Sequence, residues 1–125
     1  MRLIKSKNSE AELIVFRFLR KEKVYFQKHY KHAPGTPDIA LPRKRKAVFI
    51  DGDFWHGKRL AKTIERRGPD DYWVKKVERN IERDREQEAT LIENGWRFIR
   101  IWESDLKRKS TQIDTLEKIK LFIVS

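Results

Sequence analysis

The sequence contains no cysteine, so no disulfide staples it and no thiolate can hold a zinc ion. Glycine, proline and histidine are scarce as well, with five, four and three copies, so places where they cluster carry information. No apolar run approaches the roughly 18 residues of a membrane-spanning helix. The opening Met1-Arg2-Leu3-Ile4-Lys5 lacks the pattern of a secretory signal. The expectation is a soluble, cytoplasmic protein. Its 125 residues fit one domain, 1–125, large enough to bury a core without staples.

Positive charge is what the chain has in plenty, with a net +11. It is unevenly spread: residues 1–46 hold 13 Lys/Arg against 4 Asp/Glu, and the rest hold 17 against 15. A basic N-terminal third beside a balanced remainder suggests a face for a polyanion, and the partner expected is double-stranded DNA. The alternative is a merely solubilising surface. Residues 1–8 read as a basic arm, with Arg2, Lys5 and Lys7 as candidate phosphate contacts, joined further on by Lys58 and Arg59.

Along the chain, Ser9-Glu10-Ala11-Glu12 reads as a capping box and predicts a helix from about Glu10 to Lys21. Strands are expected over Val24–Tyr30, Asp38–Leu41, Lys46–Asp51 and Trp96–Trp102, with a turn at Ala33-Pro34-Gly35-Thr36-Pro37. Residues Gly57–Asp71 read as an irregular basic segment. From about Asp71 to Glu93 the three- and four-residue recurrence of Trp73, Val77, Ile81, Asp84, Glu88 and Leu91 predicts a helix with Asp84 on its inward stripe. Ile113, Leu116, Ile119, Leu121 and Phe122 suggest a closing helix. The order α-β-β-β-α-β-α is an α/β fold, a mixed sheet flanked by helices.

The chemistry concentrates around Phe49-Ile50-Asp51-Gly52-Asp53-Phe54-Trp55-His56-Gly57. Asp38 opens a short strand after a rigid turn, where a carboxylate projects toward a metal or simply caps the turn. The Ile50 backbone carbonyl offers a hard cation the oxygen it prefers. Asp51 and Asp53 are extra acids, each either a helper ligand or a turn residue beside Gly52. His56 is of the type that takes a proton from an attacking water, and the inward Asp84 is a suitable orienting partner. Glu12 is explained by the capping box alone. Phe54, Trp55 and Trp73 are core residues or, in a basic protein, side chains that wedge between bases.

Five stretches taken in order resemble the very-short-patch repair (Vsr-type) endonuclease family, a branch of the PD-(D/E)xK nucleases with a restriction-endonuclease-like fold. They are Arg2 to Glu12, Gly35-Thr36-Pro37-Asp38, Phe49 to Gly57, Tyr72 to Asp84 and Gly95 to Glu103. The resemblance implies two magnesium ions held by Asp38 and the Ile50 carbonyl, with Glu12 binding through metal waters. It also implies His56 as general base held by Asp84, and Phe54, Trp55 and Trp73 as a wedge entering DNA beside a mismatch. The implied reaction nicks one strand 5′ to the thymine of a T·G mismatch, carried out by a monomer. Asp53 and Ser104 stand where many members of the family place cysteines of a structural zinc site, so the loop after Gly57 must be held by packing or ion pairs. A homing or other site-specific endonuclease with the same Glu, Asp, His and Asp residues is the alternative. A non-catalytic DNA-binding module is a third reading.

Overall fold

In a computed structural model, which describes residues 9–125, Ser9 caps the first helix, α1, Glu10–Lys21. The Ser9 hydroxyl accepts from the Glu12 amide at 3.3 Å, and the Ser9 amide donates to Glu12 Oε1 at 2.9 Å. This is the reciprocal capping box expected of the sequence. The basic arm carrying Arg2, Lys5 and Lys7 lies outside the described residues.

Four strands follow in a single sheet of order β1-β2-β3-β4: Gln27–Lys28, Ile39–Leu41, Lys46–Asp51 and Arg97–Trp102. β1–β2 and β2–β3 are antiparallel, and β3–β4 is parallel. A parallel pair needs a long crossover. Here it contains α2, Leu60–Arg67, and α3, Tyr72–Glu93, before α4, Glu103–Lys107, and α5, Lys109–Val124, close the chain.

Every residue of β3 is buried, as a strand covered on both faces must be. Period-two alternation sorts its side chains. Val48 and Ile50 join Val15, Phe16 and Leu19 of α1, with Leu106 and Ile119, in the larger core. Ala47 and Phe49 face the other way, packing with Leu91 of α3 and with Trp96 and Phe98. Each fully buried Ile, Leu or Phe contributes about 1.5–3 kcal/mol, so β3 is the best-anchored platform in the molecule.

Lys46 is buried at the start of β3, and its ammonium donates to the carbonyls of Phe122 and Ile123 at 2.7 and 3.2 Å. It thereby satisfies carbonyls that the end of α5 would leave orphaned. Burial, with Arg97 and Lys44 nearby, pulls the Lys46 ammonium below the usual lysine range.

The architecture expected is present, with α4 as an added short helix after the last strand and three further differences. The strand expected over Val24–Tyr30 shrinks to Gln27–Lys28: regular geometry ends where His29 turns to a left-handed φ of 45°. The His29 and Tyr30 amides still donate to the Asp38 and Pro37 carbonyls, and Val24 and Phe26 pack on the core outside the strand. The segment read as irregular contains α2. The closing helix starts earlier than its apolar pattern suggests and leaves Ile113 and Leu121 exposed, while Thr115, Ile119 and Ile123 are its buried residues.

Candidate active site

Two side-chain groups lie near the C-terminal end of β3, one reaching it at Ile50 and the other at Asp51. The first joins three consecutive elements: Glu12 from α1, His29 from the end of β1 and Asp38 from the entry to β2. One ligand atom from each lies within 4.8 Å of the others. Glu12 is fully buried and Asp38 nearly so. Glu12 serves two partners, Oε1 in the capping box and Oε2 at 2.7 Å from His29 Nε2. The helix-capping and site readings of this residue are therefore compatible.

Asp38 is delivered by a strained turn. Gly35 and Thr36 both have positive φ, 82° and 45°, and a β-branched residue rarely adopts that backbone. A Cβ on Gly35 would sit 3.0 Å from the Phe49 ring, so a side chain there would also crowd that ring. The turn aims the Asp38 carboxylate at β3, where its Oδ2 accepts from the Ile50 amide at 2.7 Å. This bond seats the Ile50 peptide against Asp38.

The second group lies on the α3 side of the sheet. His56 Nδ1 is 2.6 Å from Asp84 Oδ2, the pairing expected from the sequence, and 3.8 Å from Asp51 Oδ1. Arg100, on β4, ties the group together. Its Nη1 donates to both oxygens of Asp51 at 2.9 and 3.2 Å, its Nε donates to Glu88, and its Nη2 is 3.7 Å from Asp84. The same guanidinium lies over the Phe49 ring, 4.3 Å from its centroid. Burial above all pushes the Asp51 carboxyl above the usual range, and Asp84 adds to this, while His56 and Arg100 pull the other way. Burial pulls Arg100 down, but Asp51, Glu88 and Asp84 outweigh it and hold the guanidinium charged.

Asp51 was a candidate helper ligand for a cation. Alternation along β3 turns it to the face opposite Ile50, where Arg100 engages it, and it is not part of the Glu12–His29–Asp38 group. Asp53 belongs to neither group. Its Oδ1 accepts from the Ser104 amide at 3.3 Å, Lys58 donates to the Ser104 hydroxyl at 2.7 Å, and Lys58 lies 3.8 and 3.7 Å from Asp53 and Asp105. Burial pushes Asp53 up, but the Ser104 hydrogen bonds with Lys58 and Arg59 outweigh it and hold the carboxyl below its ordinary value. This polar latch spans the positions at which a zinc site was expected to be missing. Lys58 is tied to the latch yet stays exposed, as does Arg59 at the start of α2.

Phe54, Trp55 and Trp73 form one contiguous aromatic cluster beside His56. Ring centroids are 4.7 Å apart for Phe54–Trp55 and 5.8 Å for Trp55–Trp73, and Tyr72 extends the row at 5.0 Å from Trp73. Phe54 and Tyr72 are exposed. The Trp55 carbonyl accepts from Asn80 of α3 at 3.2 Å, which fixes the loop against the helix. A cleft of about 360 Å³ opens behind Phe54 and Trp55, with Glu103 and Lys107 on its far wall. A larger groove of about 720 Å³ is bounded by Tyr30, Arg45 and Trp96, and none of the residues of either group lines it.

Sequence reasoning missed His29, Arg100 and Tyr72. His29 was hidden inside an apparently alternating strand, although histidine is among the residues that tolerate a left-handed backbone. Arg100 had a usable signal, since it lies between Ile99 and Ile101 and must therefore face away from the core they share.

A mixed sheet that gathers acids and imidazoles at one strand end, on a strongly basic chain, is the architecture of a restriction-endonuclease-like enzyme. The profile of the family described as DNA mismatch endonuclease Vsr matches residues 1–62. The type II nicking enzyme V.XorIIP of Xanthomonas oryzae is 39% identical over 108 residues, covering 85% of this chain and 78% of the relative. V.HpaIIP of Haemophilus parainfluenzae, another type II nicking enzyme, is 35% identical over 82% of this chain and 73% of its own length. The DNA mismatch endonuclease Vsr of Escherichia coli is 30% identical over 91% and 73%. The chain belongs to the Vsr family of DNA endonucleases.

Proposed function

We propose that the protein nicks one strand of double-stranded DNA at a T·G mismatch, with magnesium as cofactor. The observation that carries this reading is the 2.6 Å contact between His56 Nδ1 and Asp84, placed at the same strand end as the Glu12–His29–Asp38 group. With Nδ1–H donating to Asp84, the His56 ring keeps its Nε2 lone pair for a proton. Asp84 holds the ring in that tautomer and stabilises the imidazolium once the proton has arrived, and Arg100 in turn holds Asp84 and Asp51 in place.

The donor set fits a hard divalent cation, since Glu12, Asp38 and the Ile50 carbonyl supply oxygen. Such a cation contributes charge where the phosphodiester oxygens gain it. The chain's own part is to orient the phosphate, to accept the proton of the attacking water at His56 and to exclude misaligned substrates. The aromatic row supplies the choice of substrate. Separating stacked bases costs a few kcal/mol per step and least at an imperfect pair, so a wedge of Phe54, Trp55 and Trp73 selects mismatches. Nicking enzymes and a mismatch endonuclease among the relatives support the same reading. One catalytic centre cuts one strand, in keeping with a monomer working on DNA in the cytoplasm.

The test uses duplexes carrying T·G or T·A at one position, incubated with magnesium or chelator, with each strand resolved. Magnesium-dependent cleavage of only the thymine strand of the T·G duplex is expected. Equal cutting of both strands in a matched duplex would move the protein to the site-specific, homing-type reading. Binding with no cutting in magnesium would leave a DNA-binding module.

A further inference from the structure

We infer that His29 is a nitrogen ligand to the divalent cation at this centre and biases the site toward manganese and cobalt relative to magnesium. The inference rests on the reading that Glu12 and Asp38 hold a cation. Three observations carry it. A ring nitrogen of His29 and one carboxylate oxygen each from Glu12 and Asp38 lie within 4.8 Å of one another, and Nε2 is the nitrogen that meets Glu12, at 2.7 Å. Cation–ligand bonds of about 2.0–2.2 Å place ligands on opposite sides of one ion roughly 4–4.4 Å apart, so small side-chain rotations close this set.

The second observation is the backbone. His29 sits at a φ of 45°, a region that costs an L residue roughly 1 kcal/mol or more, and such strain gathers at functional positions. Its amide donates to the Asp38 carbonyl at 3.0 Å, which locks the two residues side by side. The third is the ring's setting. His29 Nε2 points at Glu12 and the ring packs edge-on against Phe16 at 6.2 Å, while the side chain keeps 21% of its surface exposed. It is thus held in place yet open to an arriving ion. In the contact with Glu12 the proton sits on Nε2. When an ion arrives that proton leaves to solvent and the ring keeps its proton on Nδ1, so Nε2 offers its lone pair to the ion that Glu12 and Asp38 share.

The consequence lies in metal choice. A set of carboxylates and carbonyls suits magnesium, whereas an imidazole donor favours the later transition metals. The alternative is that His29 only holds Glu12 in position by its hydrogen bond. Two variants separate these roles: His29→Gln can still donate to Glu12, and His29→Asn tolerates the left-handed backbone.

Magnesium, manganese and cobalt would be titrated calorimetrically into metal-stripped wild type, His29→Gln, His29→Asn, His56→Ala and Asp38→Asn, each checked for folding by circular dichroism. Nitrogen-14 modulation of the bound manganese signal would be read by pulsed electron paramagnetic resonance. Wild type and His56→Ala are expected to show a directly bonded histidine nitrogen. The two His29 variants should lose it, with manganese and cobalt affinity falling roughly tenfold or more and magnesium affinity falling less. An unchanged manganese-to-magnesium ratio and nitrogen signal in folded His29 variants would overturn the inference, as would loss of the signal in His56→Ala alone. In either case, loss of binding in Asp38→Asn would leave the cation reading standing. If wild type bound none of the three ions, or Asp38→Asn bound them equally well, the cation reading itself would fall, and the inference with it.

Discussion

At the scale of single residues, Glu12 shows how one carboxylate serves both fold and site. Its two oxygens divide the work, Oε1 to the Ser9 amide and Oε2 to His29. Glu12→Gln retains an oxygen for the cap, so the thermal midpoint should stay near wild type while nicking falls. Full nicking activity in this variant would return Glu12 to a purely capping role. Trp55 makes the opposite case, because it is partly exposed within a row of rings that leads to the surface at Phe54 and Tyr72. Trp55→Ala should shift the melt little and abolish preference for T·G over T·A. A loss of about 3–5 kcal/mol with preference intact would mark it as a core residue instead. The pairing of His56 with Asp84 was legible because one is tied to a strand end and the other to a helix stripe. The sequence could not place His29, because a left-handed residue has no periodicity to follow.

At the scale of elements, the loop carrying His56 depends on how closely it approaches α3. Gly57 has a φ of 85°, and a Cβ there would come within 2.5 Å of Ile81 Cδ1. Gly68, at the end of α2, has a φ of 89° with nothing within 4 Å. Gly68 pairs that φ with a ψ of 157°, a region essentially reserved for glycine, so Gly68→Ala should cost about 1–3 kcal/mol from backbone strain alone. Gly57→Ala should cost about 2–4 kcal/mol, since overpacking is added. Denaturant melts would show this, and Ile81→Val, which removes the clashing methyl, should restore part of the loss only in the Gly57→Ala background. Failure of Ile81→Val to restore any stability to Gly57→Ala would mean that the loop is not packed as closely as described.

The elements were legible where one rule dominates, as in the capping box of α1, the apolar run of β3 and the long stripe of α3. They were not where tertiary context decides. α2 is too basic and short for its pattern to stand out, yet it buries Thr63. Ile113 and Leu121 looked like core residues only because apolar identity was taken for burial; the turns of α5 that meet the sheet are those of Thr115, Ile119 and Ile123.

At the scale of the whole molecule, the polar latch between Asp53, Lys58, Ser104 and Asp105 joins the loop after β3 to α4. Its strength should depend on pH through Asp53, whose carboxyl is held below its ordinary value. A depressed folded pKa contributes stability above the unfolded value, near 3.8, and that contribution disappears as pH falls through the folded value. The stability advantage of wild type over Asp53→Asn should therefore be largest at neutral pH and shrink on acidification below about pH 4. Melts of both proteins from pH 7 to pH 3 would check it, and an advantage that grew toward low pH would contradict the latch. The family resemblance implied cysteines at the positions where this sequence carries Asp53 and Ser104. Which polar atoms take their place depends on where α4 lies, and no local pattern specifies that.

The claim on which the account turns is that His56 and Asp84 work as one proton-accepting unit, and a double-mutant cycle on the single-turnover nicking rate tests it most directly. His56→Ala should slow nicking by roughly 10²- to 10⁴-fold, the range for loss of a general base. Asp84→Asn should slow it substantially as well, and the double variant should be little slower than His56→Ala alone, because groups that act together are not additive. Losses that multiply in the double variant would show that the two residues act separately and that the 2.6 Å contact between them is structural.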